Sequence, residues 1–184
     1  MKLNLGSGND IREGYVNCDY HNRLGADKVF DLNKFPYPFK NNSVDEIQLN
    51  GVLEHLDFPS KTITECHRIL KKNRKLFIIV PYNETYGDIH KQNFLLDYFY
   101  FFAKKGLPSK IEKHKKESRR LNWDGYVKFS SVKLKLYFPK GLHIFNYLIE
   151  PFVNWLIKKS HLHYQHTFLK AIFPANEIRV VYVK

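Results

Sequence analysis

Cysteine is scarce: Cys18 and Cys66 are the only two in 184 residues. That is too few for a disulfide framework and fits thiols kept reduced, with the cytoplasm as the expected compartment. Long apolar runs are missing as well. The two longest, Phe94–Ala103 and Leu142–Ile157, are broken by Asp97 and by Glu150 with Pro151. Both fall short of the roughly 20 uninterrupted apolar residues of a membrane span. No secretory leader is expected, because Lys2-Leu3-Asn4-Leu5 runs straight into a glycine turn without an apolar stretch. Acid is short relative to base, 18 Asp+Glu against 30 Lys+Arg, for a formal charge of +12. What is present in quantity is apolar: 43% of residues are hydrophobic and 16% aromatic, which excludes a disordered chain. The length suits one domain, residues 1–184, able to bury about 70% of its unfolded surface.

The charge is uneven. Residues 1–82 carry 12 basic and 10 acidic side chains, whereas residues 104–140 alone carry 12 and 3. A near-neutral front half, 1–82, is followed by a basic, aromatic back half, 83–184. Excess positive charge suggests nucleic acid, an anionic membrane surface or an acidic substrate.

Hydrophobic patterning predicts five strands in the front half: Lys2–Leu5, Tyr15–Asp19, Asp27–Leu32, Val44–Leu49 and Lys75–Val80. The fifth is continuously apolar, as in a strand covered by helices on both faces. Ser60–Lys72 reads as a helix, with Ile63, Cys66 and Leu70 on one face and Thr62-x-x-Glu65 as a capping box. Strands interleaved with crossovers imply an α/β protein with a mostly parallel, Rossmann-like sheet. The first crossovers are short, with only Asn9–Gly14 between the glycine turn and the second strand. In the back half, Asn93–Lys105 and Leu142–Lys159 read as helices, the latter divided at Pro151. Lys110–Arg120 reads as a charged segment, Val132–Phe138 as a half-exposed strand and Glu177–Val183 as a closing strand.

The turn Leu5-Gly6-Ser7-Gly8 ends the first strand, where open α/β sheets bind ligands and where glycine lets backbone approach a ligand closely. A tight turn without a ligand is the equal alternative. A G-x-G-x-x-G dinucleotide pattern would need glycine where Ile11 stands, and no Walker lysine follows, so a pyrophosphate cradle is disfavoured. Asp19 ends the second strand, where a carboxylate accepts the two hydroxyls of an adenosine ribose; a strand-end cap is the plainer reading. Asp31 ends the third strand, in reach of an adenine amino group, and Asn50-Gly51 ends the fourth. No His/Cys/carboxylate set shows zinc spacing, so no metal is expected.

The runs Leu3-Asn4-Leu5-Gly6-Ser7-Gly8, Val16-Asn17-Cys18-Asp19, Ser43-Val44-Asp45-Glu46-Ile47, Val52-Leu53-Glu54-His55-Leu56 and Glu65-x-x-Arg68-Ile69-Leu70-Lys71, in that order, resemble class I S-adenosylmethionine-dependent methyltransferases of the small "type 11" kind. The resemblance covers about residues 2–94. It implies S-adenosylmethionine as cofactor, with Gly6 and Gly8 under its methionine part, Asp19 on the ribose and Asp31 with Leu32 at the adenine. Asn50 would line the methionine end, with Glu54-His55-Leu56 just beyond. Two departures stand out: Asp10 replaces a third glycine, and Lys72-Asn73-Arg74 replaces a Pro-Gly-Gly turn. His55 and His90 are the candidate catalytic residues, since imidazole takes up a proton near neutral pH; structural hydrogen-bonding roles are as good a reading.

The acceptor is less legible. Asn50-Gly51-Val52-Leu53 lacks the Asn/Asp-Pro-Pro-aromatic pattern of exocyclic-amine methylation, and neither cysteine is placed as a nucleophile for pyrimidine carbon-5 chemistry. Tyr82, Tyr86, Phe94 and Tyr98–Phe102 suggest a lid and apolar acceptor pocket, or simply core. Leu142–Ile157, flanked by Lys140 and Lys158-Lys159, suits a peripheral membrane contact or a homodimer. The resemblance leans to a small-molecule, glycan-linked or lipid-linked acceptor. The alternative is a nucleic-acid-binding or RNA/DNA-modifying protein that uses Lys104–Lys140, with or without catalysis.

Overall fold

The computed structural model describes residues 1–22, 25–82, 90–105, 128–137, 150–155 and 175–184. Its elements, in chain order, begin with β1 (Lys2–Leu5), β2 (Val16–Asp19), β3 (Lys28–Val29) and β4 (Val44–Asn50). A 3-10 turn (Leu53–His55), α1 (Pro59–Ile69) and β5 (Leu70–Pro81) follow. The back half supplies α2 (Leu96–Tyr100), β6 (Ala103–Lys105), β7 (Phe129–Tyr137) and β8 (Glu177–Val183). All eight strands join one sheet in the order β3-β2-β1-β4-β5-β8-β7-β6. Strands β1 to β5 are mutually parallel, and β8 runs antiparallel to both β5 and β7. The Rossmann-like, mostly parallel sheet expected from the sequence is therefore present, and so are its shortened early crossovers. Among the described residues no α-helix lies between β1 and β4.

One face of the sheet is a continuous apolar surface. Leu3, Ile47, Leu76, Tyr182 and Val132 align across β1, β4, β5, β8 and β7 through the strand register. Leu5, Leu49, Ile78 and Val180 form the next row, and all nine side chains are buried. Helix α1 contributes Ile63, Cys66 and Ile69 to the same core. The opposite face differs. Phe77 and Ile79 are only half-buried, so β5 is not covered equally on both sides as its apolar run predicts. Without helices in the early crossovers, nothing among the described residues supplies the second layer there.

That second face is polar near β1 and β2. Asn4 and Asn17 are register partners and are buried at 2% and 4% exposure. Asn4 Nδ2 donates to Asp10 O at 2.6 Å and to Asn17 Oδ1 at 3.1 Å. Asn17 Oδ1 also accepts from Arg12 N at 2.9 Å, and Asn17 Nδ2 donates to Asp27 Oδ2 at 3.1 Å. The two amides thus satisfy the backbone of the short 9–15 crossover, which has no helix to satisfy itself. Farther along this face Tyr15 donates to Glu46, which also accepts from Gln48 Nε2 at 3.0 Å.

Helix α1 starts without the expected capping box. Pro59 occupies the first turn after Phe58, and no side chain caps it. Thr62 lies inside the helix, with Oγ1 3.1 Å from the Tyr37 hydroxyl. Glu65 accepts from Tyr37 N at 2.8 Å and from Arg68 Nη2 at 2.7 Å. Arg68 also donates to Tyr37 O and Phe39 O, at 3.0 and 2.9 Å. Glu65-x-x-Arg68 therefore fastens the 37–39 loop rather than beginning the helix. At the far end, Lys184 Nζ donates to His67 O at 2.6 Å and Leu70 O at 2.7 Å, placing a cation on the helix C-terminus.

The helical back half is only partly visible. Within Asn93–Lys105 the helix is limited to α2, because the chain turns at Phe101 to enter β6. Residues 150–155 are helical. Lys110–Arg120 lies outside the described residues, as does the rest of the Leu142–Lys159 segment apart from 150–155. Most of the basic Lys104–Lys140 stretch lies outside them too. Phe94, Phe99 and Phe102 are buried at 2%, 0% and 1% exposure and pack with Phe129 and Tyr182. They are core residues rather than a lid. No described helix is long and apolar enough to cross a membrane.

Two outcomes follow. Asn17→Leu orphans Arg12 N, leaves Asn4 Nδ2 only its bond to Asp10 O, and should cost about 2–4 kcal/mol in urea denaturation. His67 is held in its neutral form, pushed down to about 4 by burial and by the nearby Lys184 and Lys104 ammonium groups. Its depressed folded pKa favours the fold above its ordinary value near 6.5, and that contribution disappears as pH falls from about 6.5 to about 4. Thermal melting across that window should show a shallower decline in His67→Phe than in the parent.

Candidate active site

The carboxyl ends of β1, β2 and β4 open onto one cavity of about 470 Å³. It is lined by Gly6, Gly8, Asp19, Asp31, Leu32 and Gly51, all six among the residues expected from the sequence, and by His55 and Leu56. Its walls also include Tyr20, Asn33 and Val52, which sequence reasoning did not single out. Tyr20 carried a usable signal, an aromatic residue directly after the strand-end acid. Val52 carried none, because its role lies in a contact across the sheet.

The β1 turn is fixed to β2 by Gly6 N and Ser7 N, which both donate to Cys18 O at 2.8 and 3.0 Å. Gly6 has φ of +67°, and a Cβ there would come within 2.6 Å of Val52 Cγ2. The turn after β1 and the turn after β4 therefore touch, and only glycine lets them do so. Gly8, φ +48°, has nothing within 4 Å of where its Cβ would stand. It leaves open space at the cavity wall. Leu5 lies buried beneath the turn. Ser7 is 4% exposed, and its Oγ has no hydrogen-bond partner among the described residues.

Asp19 Oδ2 accepts from Gly8 N at 2.8 Å and Oδ1 from His21 N at 3.1 Å. Each oxygen keeps acceptor capacity for a further donor. Asp31 Oδ1 accepts from Asn33 N at 2.9 Å, and Asn33 Oδ1 in turn holds Asp57 N at 2.9 Å. Among the described residues the cavity is lined by two carboxylates and by no lysine or arginine. Such a wall attracts hydroxyls, amino groups and positive charge, and repels a phosphate group.

Asn50 and Glu54 line a second cavity of about 310 Å³ with His90, Asn176 and Glu177. Gly51 borders both cavities. His55 and His90 meet with ring centroids 4.9 Å apart. The two candidate catalytic histidines are therefore neighbours, one at each cavity. Both thiols are remote from this chemistry. Cys18 and Cys66 are free and buried, and desolvation pushes the Cys18 thiol up to about 12 and raises Cys66 as well. Neither forms a thiolate nucleophile near neutral pH.

Residues 8–78 match the family described as "Methyltransferase domain". That match and the mostly parallel sheet give the chain the fold of class I methyltransferases. S-adenosylmethionine is the cofactor expected from the sequence. In fold the chain is similar to a SAM-dependent methyltransferase from Archaeoglobus fulgidus, with TM-score 0.53 at 15% identity, covering 100% of this chain and 85% of that one. It is also similar to a protein described as a candidate methyltransferase from Bacillus halodurans, with TM-score 0.50 at 11% identity, covering 100% and 91%. No curated protein matches the sequence. The residues fit the cofactor: an unpartnered buried Ser7 hydroxyl, open space at Gly8 and an anionic, phosphate-repelling wall all suit a cationic sulfonium nucleoside.

Gly6→Ala drives a methyl group into Val52 and should lower stability by about 1–3 kcal/mol. Adding Val52→Ala should recover part of that loss in the same denaturation experiment, leaving the cost of the positive φ.

Proposed function

We propose that the methyltransferase binds S-adenosylmethionine in the 470 Å³ cavity and methylates an oxygen or nitrogen of a small-molecule, glycan-linked or lipid-linked acceptor. The observation that carries this reading is Asp19 at the end of β2. Its carboxylate is held by two backbone N–H groups and lines a cavity whose described residues include no basic side chain. When bound, the cofactor supplies a methyl carbon activated by its sulfonium. Asp19 accepts the ribose hydroxyls. Asp31 accepts from the adenine amino group, with Leu32 and Tyr20 as apolar walls. Gly6, Gly8 and Gly51 leave room for the methionine part, and the Ser7 hydroxyl and Asn50 offer it polar partners.

Methyl transfer from a sulfonium is an in-line displacement in which positioning alone can supply roughly 7–11 kcal/mol. The chain's remaining task is to hold the acceptor and take its proton. His55 and His90 stand where the two cavities meet and can take that proton. The acceptor enters through the 310 Å³ cavity, whose wall of Asn50, Asn176 and Glu177 is polar and suits a hydroxyl or amine. The reduced thiols agree with work in the cytoplasm.

Titration calorimetry with S-adenosylmethionine and S-adenosylhomocysteine should show micromolar binding. Asp19→Ala should weaken both by at least roughly tenfold, or about 1.4 kcal/mol. Absence of heat with either ligand would defeat the assignment of the cavity, and unchanged affinity in Asp19→Ala would remove Asp19 from it.

A further inference from the structure

We propose that Glu54, His55 and His90 bind one divalent transition-metal ion between the two cavities. Glu54 and His55 are consecutive on the 3-10 turn after β4, and His90 returns to them from beyond β5. Each offers one donor atom, and these atoms lie within 4.8 Å of one another. Among the described residues this is the one His/Cys/Asp/Glu group so arranged.

The meeting is built into the backbone. Glu54 O accepts from Lys91 N at 2.8 Å and from Gln92 N at 3.0 Å, so the residues after His90 are fastened to the residue that carries the carboxylate. Lys91 Nζ adds an ion pair to Asp57 Oδ1 at 2.7 Å. The imidazoles stand edge to face at 66° rather than stacked. Glu54 is 3% exposed, and a buried carboxylate beside two imidazoles is well matched to a cation.

Donors about 2.1 Å from a shared ion lie roughly 3–4 Å from one another, so modest side-chain rotations close the set. Two imidazole nitrogens and one carboxylate suit zinc, iron, cobalt, nickel or manganese, whereas calcium and magnesium want more oxygens. Three protein ligands leave coordination positions open, as in catalytic rather than structural sites. Those positions border the 310 Å³ cavity and would take the oxygen or nitrogen to be methylated, lowering its affinity for its proton. That proton then leaves to water, because His55 and His90 act as ligands rather than as bases when the metal is bound. That placement beside the methyl donor rests on the reading above, but metal binding itself does not. Motif spacing missed the site because the third ligand arrives from a different strand end.

The test uses the untagged full chain, stripped with a chelator and titrated with Co²⁺, read by visible ligand-field absorption and by calorimetry. One equivalent should bind and develop the bands of nitrogen and oxygen ligation, and Zn²⁺ should displace it. His90→Ala and Glu54→Gln should each weaken Co²⁺ binding by at least about tenfold, with circular dichroism and melting confirming the fold. If His90→Ala fails to fold, His90→Gln is judged by the same criterion. Failure to saturate with Co²⁺ overturns the proposal. So does affinity unchanged in the variants, which would place the ion elsewhere. S-adenosylhomocysteine calorimetry on the same stripped samples reports the cofactor cavity separately, so the two readings fail independently.

Discussion

The buried contact between Asn4 and Asn17 is the constraint on which this version of the fold depends. A parallel strand pair needs a crossover, and the usual crossover is a helix that satisfies its own backbone and covers the sheet. Here residues 6–15 alone make the passage from β1 to β2. Their carbonyl and N–H groups find partners in two side-chain amides rising from adjacent strands. Polar side chains in the middle of a sheet normally cost stability. These two are hydrogen-bonded to the crossover and to each other, and they stand in for a helix there. The result is a sheet with an apolar core on one face and a hydrogen-bonded network on part of the other.

The same economy shapes the site. With little bulk above β1 and β2, the turns at the strand ends are held by direct contacts: Gly6 against Val52, Gly6 and Ser7 on Cys18 O, and Gly8 on the Asp19 carboxylate. The 470 Å³ cavity is thus framed largely by backbone and side chains at strand ends rather than by helix N-termini. A wall of that kind reads a nucleoside through hydroxyls and amino groups.

Much of this was legible in the sequence. Strand ends show themselves through apolar runs stopped by Gly6, Asp19 and Asn50, and β8 appears with the bounds its alternation predicts. The glycine turn and Asp19 were recognisable because their chemistry is local. Thr62 and Glu65 were misread as a cap because the helix starts at Pro59, and the Glu65–Arg68 pair is spent on a loop far away in sequence. The buried row of Phe94, Phe99 and Phe102 could be read equally as pocket or core, since aromatic spacing does not say what lies opposite. The Gly6–Val52 contact was invisible for a related reason: it is produced by strand order, which no short motif encodes. His55 and His90, by contrast, could be placed on one edge because they follow neighbouring strands.

Strand order also dictates when the protein can be completed. Strand β8 follows every other strand in the chain, yet it sits between β5 and β7, and it alone links the β6–β7 pair to the parallel strands. During synthesis the five parallel strands can pair as they emerge, with the edge of β5 bare. The β6–β7 pair has no place to dock until β8 arrives. The sheet is closed from its interior by its latest strand, so the long-range pairings that determine folding rate are formed last.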